Sequence, residues 1–226
     1  MLNLSQSQTL HWISMAASFA VLLQTIELLQ LRSYWSESGA WNSIDCSRDF
    51  QKISLPLGRT LQFLFTENIF ILILLSSLVS SLSMFFFPHF LFVAVMLLAT
   101  FLIALRWQGS FNGGSDNMTF LVLSTLLLAS QMTAHPKWVS ALLAYLAFQT
   151  GFSFFISGMV KFRSRNWRSG LVLKSILEGS IYPVPDILRK KRKAMILMRA
   201  LSLFLILFEL LFPLALFSYQ IGRAHV

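Results

Sequence analysis

Apolar residues in this chain come in long runs and do not alternate with polar ones. Six windows, 12–31, 63–82, 84–105, 118–133, 138–160 and 194–219, each approach the roughly 20 mostly apolar residues that a membrane-crossing helix needs. The fourth is short and fits a tilted span, or one lengthened by the polar turn before it. The second and third nearly touch, so a tight hairpin is expected at Ser83 or slightly later, near Phe85, Phe86, Phe87, Pro88 and His89. No basic residue precedes the first window, which itself carries Gln24, Glu27 and Gln30. That pattern predicts a retained helix and not a cleaved signal peptide. The expected fold is all-α, a polytopic membrane protein of about six spans.

Composition supports this assignment. Of 226 residues, 56% are hydrophobic and 12% charged, against about 25% charged in an ordinary soluble domain. A soluble fold of this length cannot hide 22 Phe and 6 Trp behind so few polar side chains. The formal charge of +9 would suit nucleic acid in a polar chain. In so apolar a chain it marks loops facing an anionic leaflet, and no nucleic-acid partner is expected. Arg32, Arg48, Lys52 and Arg59 lie in the first connection and Arg106 in the third, while the fifth runs from Lys161 to Arg199 and is densely basic. Counted by side, 16 Lys and Arg fall on one face of the membrane and only Lys137 and Arg223 on the other. The positive-inside rule then places the first, third and fifth connections in the cytoplasm and the N-terminus outside, in a multi-pass cell-membrane protein. A single cysteine, Cys46, excludes an internal disulfide.

The connections carry their own signals. The first mixes Trp35, Trp41, Phe50 and Ile53 with charges, which predicts a short interfacial helix with belt tryptophans. In the fifth, Asn166 is a candidate cap for an amphipathic helix with Trp167, Leu171, Ile176 and Leu177 on its apolar side, ended by Tyr182, Pro183, Val184 and Pro185. Asp186 is a candidate cap for the basic segment that follows, whose run 189–193 suits an anionic leaflet. Residues 221–226, IGRAHV, coincide with one reading frame of a common sequencing adapter. A single domain over 1–220, continuing naturally beyond Gln220, is therefore expected, with 221–226 an artefact.

Candidate chemistry is sparse. The turn from Arg106 through Trp107, Gln108, Asn112, Gly113, Gly114, Ser115 and Asp116 to Asn117 is the most polar stretch at a membrane boundary. It serves as a structural turn with Ser115 or Asp116 capping the next helix, or as a substrate-binding pocket built from Arg106, Asn112, Asp116 and Asn117. Glu27 and Glu67 stand near helix ends, within reach of headgroups. Glu209 falls inside the last apolar window, where an unpaired carboxylate is costly, and Gln149 lies at comparable depth as a partner. His11, His89 and His135 have no ligand spacing, so no metal site is expected. Ser76, Ser77, Ser80 and Ser81 suit helix packing, as do Gly151, Ser157 and Gly158. No P-loop lysine accompanies the glycines, and no Ser-His-Asp set is visible.

One segment goes further. FISGMVK at 155–161, followed by NWRSG at 166–170, resembles the membrane domain of vitamin K-dependent gamma-carboxylase. The likeness is closer to that enzyme's bacterial relatives, the horizontally transferred transmembrane (HTTM) family. The turn with Asn112–Thr119 in the order NGGSDNMT is similar to the same family's element before its fourth helix, and the resemblance covers about 10–215. It implies that Lys161 is the weak base that deprotonates a reduced quinone, leading to proton removal from peptide glutamate. An amine at an apolar helix end is desolvated, which favours its neutral, basic form. The same resemblance puts the working side outside the cell, whereas the charge count puts Lys161 inside. Two functions follow: a quinone- or lipid-cofactor-dependent enzyme modifying a peptide, with a peptide substrate or redox partner protein, or a non-enzymatic membrane partner in maturation, export or immunity of a secreted peptide. A snorkelling Lys161 beside the anchoring Arg163 and Arg165 is the alternative for that residue.

Overall fold

A computed structural model describes residues 6–36, 39, 42, 55–106, 115–178 and 191–214. Among them there are ten helices and no strand: α1 (Gln6–Gln30), α2 (Arg32–Trp35), α3 (Leu55–Leu64), α4 (Glu67–Phe86), α5 (Phe90–Arg106), α6 (Ser115–Gln131), α7 (Pro136–Arg163), α8 (Arg165–Arg168), α9 (Leu171–Glu178) and α10 (Lys191–Leu211). The expected all-α class is thus observed. Three helices, α1, α4 and α7, are long and apolar enough to cross a membrane, and α5 and α6 are apolar but shorter.

The helix boundaries follow local chemistry. The window beginning at 63 splits, because Phe63 and Leu64 end α3 and α4 starts at Glu67. Between them Thr66 is extended at φ −58°, ψ 147°, and its hydroxyl donates to the Phe63 carbonyl. The hairpin falls at Phe87, Pro88 and His89, later than Ser83. Proline brings no amide proton and disfavours helical backbone in the residue before it, and Phe87 sits at φ −135°, ψ 80°.

The chain forms two compact units, Met1–Leu146 and Ala147–Val226, with the division inside α7. In the first, α1 packs on α4, α4 on α5, α5 on α6 and α6 back on α1, a closed ring of helices. Its interior has two layers. One joins Ala17, Val21, Met84, Val93, Met96, Leu123 and Leu126, and the other joins Leu28, Trp35, Phe70, Leu74 and Ile103. Leu28 lies with Phe70 and Ala17 with Met84 in these layers, so α1 and α4 run in opposite directions, as do α4 and α5 across their short hairpin.

Polarity is distributed opposite to that of a soluble protein. On α4, Ser77, Ser80 and Ser81 are buried while Leu72, Leu75, Val79 and Leu82 are exposed. Ser77 shares a hydrogen bond of 3.2 Å with Thr25, also buried. Three of the four serines assigned to packing therefore pack; Ser76 is exposed and bonds its own helix at the Ile73 carbonyl. In water those leucines would face inward. In lipid the close packing of small polar residues holds helices together, and the apolar side chains are already solvated.

In the second unit, α10 turns Met198, Ser202, Ile206 and Glu209 inward, a helical stripe, and leaves Ile196, Phe204, Leu207 and Leu211 exposed. The expected amphipathic helix after Asn166 is two helices. Gly170, at φ +80°, separates α8 from α9, and Ser164, not Asn166, precedes the first turn of α8. A Cβ at Gly170 would lie 2.6 Å from the Arg199 nitrogen, so the close approach of this turn to α10 also requires glycine. The expected stop at 182–185, the cap at Asp186 and residues 215–226 lie outside the described residues.

Candidate functional site

Two cations organise polar chemistry, one buried in the first unit and one part-buried in the second. In the first, Arg106 ends α5 and is buried. Its Nη1 donates to the Phe65 carbonyl at 2.7 Å and its Nη2 to the Trp35 carbonyl at 2.8 Å. The guanidinium carbon stands 4.1 Å from the Phe70 ring centre and 5.7 Å from that of Trp35. Helix ends leave carbonyls without intrahelical partners, and a forked cation reaches two of them at once. Trp35 in turn donates from Nε1 to the Leu28 carbonyl at 2.7 Å and meets Phe70 edge-on. Trp35 is therefore an interior residue and not a belt tryptophan, because both its ring and its N–H find partners inside. Trp41, Phe50 and Ile53 lie outside the described residues.

Nearby, Arg32 donates to Glu67 Oε1 from Nε at 3.1 Å and from Nη2 at 2.7 Å, a partly exposed pair. The C-terminal ends of α1 and α5 and the N-terminal end of α4 thus meet at one end of this unit. Gln6, at the start of α1, donates from Nε2 to the Pro136 carbonyl at 3.2 Å and to Ser140 Oγ, which brings the starts of α1 and α7 together.

The polar turn itself, residues 107–114, lies outside the described residues. Arg106 donates to the Phe65 and Trp35 carbonyls, Asn117 is exposed on the first turn of α6, and Asp116 belongs to α6 without a described side chain. Asn112 lies outside the described residues.

The second unit holds the stronger constellation. Lys161 Nζ donates to Glu209 Oε1, with side chains only 17% and 7% exposed. Glu209 Oε2 is buried and has no hydrogen-bond partner among the described residues. Nζ also stands 5.2 Å from the centre of the Trp167 ring. Gly158 makes the pair possible: a Cβ there would meet Glu209 Cβ and the Leu210 nitrogen, both at 3.0 Å. Below Lys161, Ser202 Oγ donates to the Trp167 carbonyl. Phe154, Phe208 and Phe212 form an aromatic cluster beside Glu209, with Phe154 and Phe212 ring centres 4.5 Å apart.

Gly158, Lys161, Trp167 and Gly170 thus all meet α10, between Met198 and Leu210. The sequence singles out Lys161 and Glu209 separately but pairs Glu209 with Gln149. The structure pairs it with Lys161, 48 residues away in the chain. Gln149 is half-buried and precedes Lys161 by twelve residues on α7, about 18 Å along a helix at 1.5 Å per residue. Ser202 is the residue that sequence reasoning misses; its only signal is its place, seven residues before Glu209, on the same helix stripe. Among the described residues, no group of three His, Cys, Asp or Glu side chains is placed to hold a metal ion. No family model, curated protein or solved structure matches the chain.

Proposed function

We propose that this protein is a six-span HTTM-like membrane enzyme in which Lys161 and Glu209 act as one proton-accepting pair on a lipid-soluble hydroxyl compound such as a reduced quinone. The observation that carries the reading is a part-buried Lys161 paired with a buried Glu209, one of whose carboxylate oxygens, Oε2, is left without a donor among the described residues. A buried acceptor of this kind is costly unless something donates to it. A ligand hydroxyl suits it, and the Trp167 and Phe154 rings nearby suit an apolar ring. In this reading the Lys161 amine takes the ligand's proton, and Glu209 Oε1 holds the ammonium so formed. Glu209 Oε1 orients the amine, Gly158 sets the distance and Trp167 shields the amine from water. A bound reduced quinone, with molecular oxygen as its oxidant, would supply the chemistry by which a γ-proton is removed from peptide glutamate.

Loss of activity in Lys161→Arg, with unchanged protein level, is expected, since guanidinium keeps the salt bridge but does not release its proton. Quinol-dependent oxygen uptake and a peptide mass shift, both measured in membranes, read this out. Lys174→Gln is the silent control, because Lys174 forms only a partly exposed pair with Glu178 at 3.4 Å. Full activity in Lys161→Arg would reduce the pair to a packing device and favour the non-enzymatic partner role.

The spans assigned are α1, α4, α5, α6, α7 and α10. At 17 residues, α5 and α6 reach about 26 Å against a hydrocarbon core of about 30 Å, a mismatch that bilayer thinning accommodates. The meeting of Arg32, Glu67 and Arg106 at one end, with Gln6 and Pro136 together elsewhere, is what alternating connections require. Reporter fusions after Lys193 should report cytoplasm, and fusions after Pro136 the outside. The reverse would place Lys161 on the outer side, as in the carboxylase-like arrangement.

A further inference from the structure

The second unit carries positive charge that its own acids do not balance. Of the basic residues from Lys161 to Lys174, Lys161 is held by Glu209 and Lys174 by Glu178. Arg163, Arg165 and Arg168 are exposed, and none has an acidic partner among the described residues. Arg199, also exposed, has its backbone against the Gly170 turn that links α8 to α9. Guanidinium forks match the oxygens of a phosphate.

The same segments expose apolar side chains. Phe162 is 50% exposed, Leu171 50% and Ile176 55%, and the Arg168 guanidinium lies 5.8 Å from the Phe162 ring centre. Inorganic phosphate would gain nothing from these neighbours. An acyl chain just beneath a headgroup would cover them, which is how amphipathic segments sit in a membrane interface.

We infer that the end of α7 together with α8 and α9 forms a binding site for an anionic phospholipid, its phosphate held by Arg163, Arg165 and Arg168 and its chains lying over Phe162, Leu171 and Ile176. The site is independent of proton chemistry at Lys161. It is more local than general attraction to a charged leaflet, since three unbalanced guanidiniums fall within six residues of chain.

The test is native mass spectrometry of the full chain in detergent, titrated with phosphatidylglycerol or phosphatidylcholine. Phosphatidylglycerol is expected to be retained in preference. At the known contribution of each basic residue near an anionic surface, each of R163Q, R165Q and R168Q should weaken retention about fivefold and the triple variant about a hundredfold. The triple lysine variant should fall between the wild type and the glutamine triple, because ammonium groups keep the charge but not the fork. If the glutamine triple does not fold, the single variants decide. Equal retention of the two lipids would overturn the site, as would wild-type retention by R163Q, R165Q and R168Q. Displacement of the lipid by inorganic phosphate at equal ionic strength would overturn the lipid as its occupant.

Discussion

Glu209→Leu is expected to destabilise the second unit by about 3–5 kcal/mol, the usual cost of stranding one member of a buried ion pair. The stranded group is Lys161, 17% exposed at its side chain and packed against Trp167. Glu209→Gln keeps an oxygen for the amine and should be tolerated for membrane expression. The informative variant is Lys161→Met with Glu209→Leu, which removes both charges. Replacing a buried pair by apolar residues of similar size is often neutral or stabilising. The double variant should therefore melt close to the wild type in detergent while lacking activity. A double variant as unstable as Glu209→Leu alone would show that the pair has a packing role that shape-matched apolar residues do not replace.

That outcome bears on how the site can be read from sequence. Helical class and membrane character follow from run length and composition, because a window of about 20 apolar residues needs no knowledge of its neighbours. Helix ends are legible where a residue dictates backbone geometry, as at Pro88, and are missed where a close approach or tertiary contact decides, as at Gly170 against Arg199 and at Phe65, whose carbonyl accepts from Arg106. The FISGMVK and NWRSG segments mark the residues that meet α10, but not what they meet there. Lys161 and Glu209 are each conspicuous as ionisable residues in apolar surroundings. Depth along a span suggests Gln149 as the partner for Glu209, yet the rotation of each helix about its axis is set by packing. Gly158 decides it, by allowing Glu209 Cβ within contact of the α7 backbone. Trp35 shows the same limit: a tryptophan at a span end has a belt as its default, and only the Leu28 carbonyl and the Phe70 ring make it interior. Arg106 has the look of a ligand-binding cation in sequence and a helix-end clasp in structure.

The second large effect is expected at that clasp. Arg106→Leu leaves the Phe65 and Trp35 carbonyls without their 2.7 and 2.8 Å donors. Each buried acceptor so stranded costs about 1–3 kcal/mol, and the contact of the guanidinium with Phe70 at 4.1 Å is lost as well. A drop of about 3 kcal/mol or more follows by adding these terms, seen as a lower melting temperature in detergent and reduced protein in the membrane. Arg106→Lys should fall between, because a single ammonium group is a point charge without the planar fork that spans two carbonyls. Phe70→Leu removes the ring but leaves both carbonyl bonds, so its effect should be smaller than that of Arg106→Leu. The ordering separates a clasp from a binding site. If Arg106 served a ligand instead, Arg106→Leu would leave melting unchanged and abolish activity alone. Loss of stability in the order Leu, Lys, wild type instead assigns the residue to holding the ends of α2, α3 and α5 against the N-terminal turn of α4.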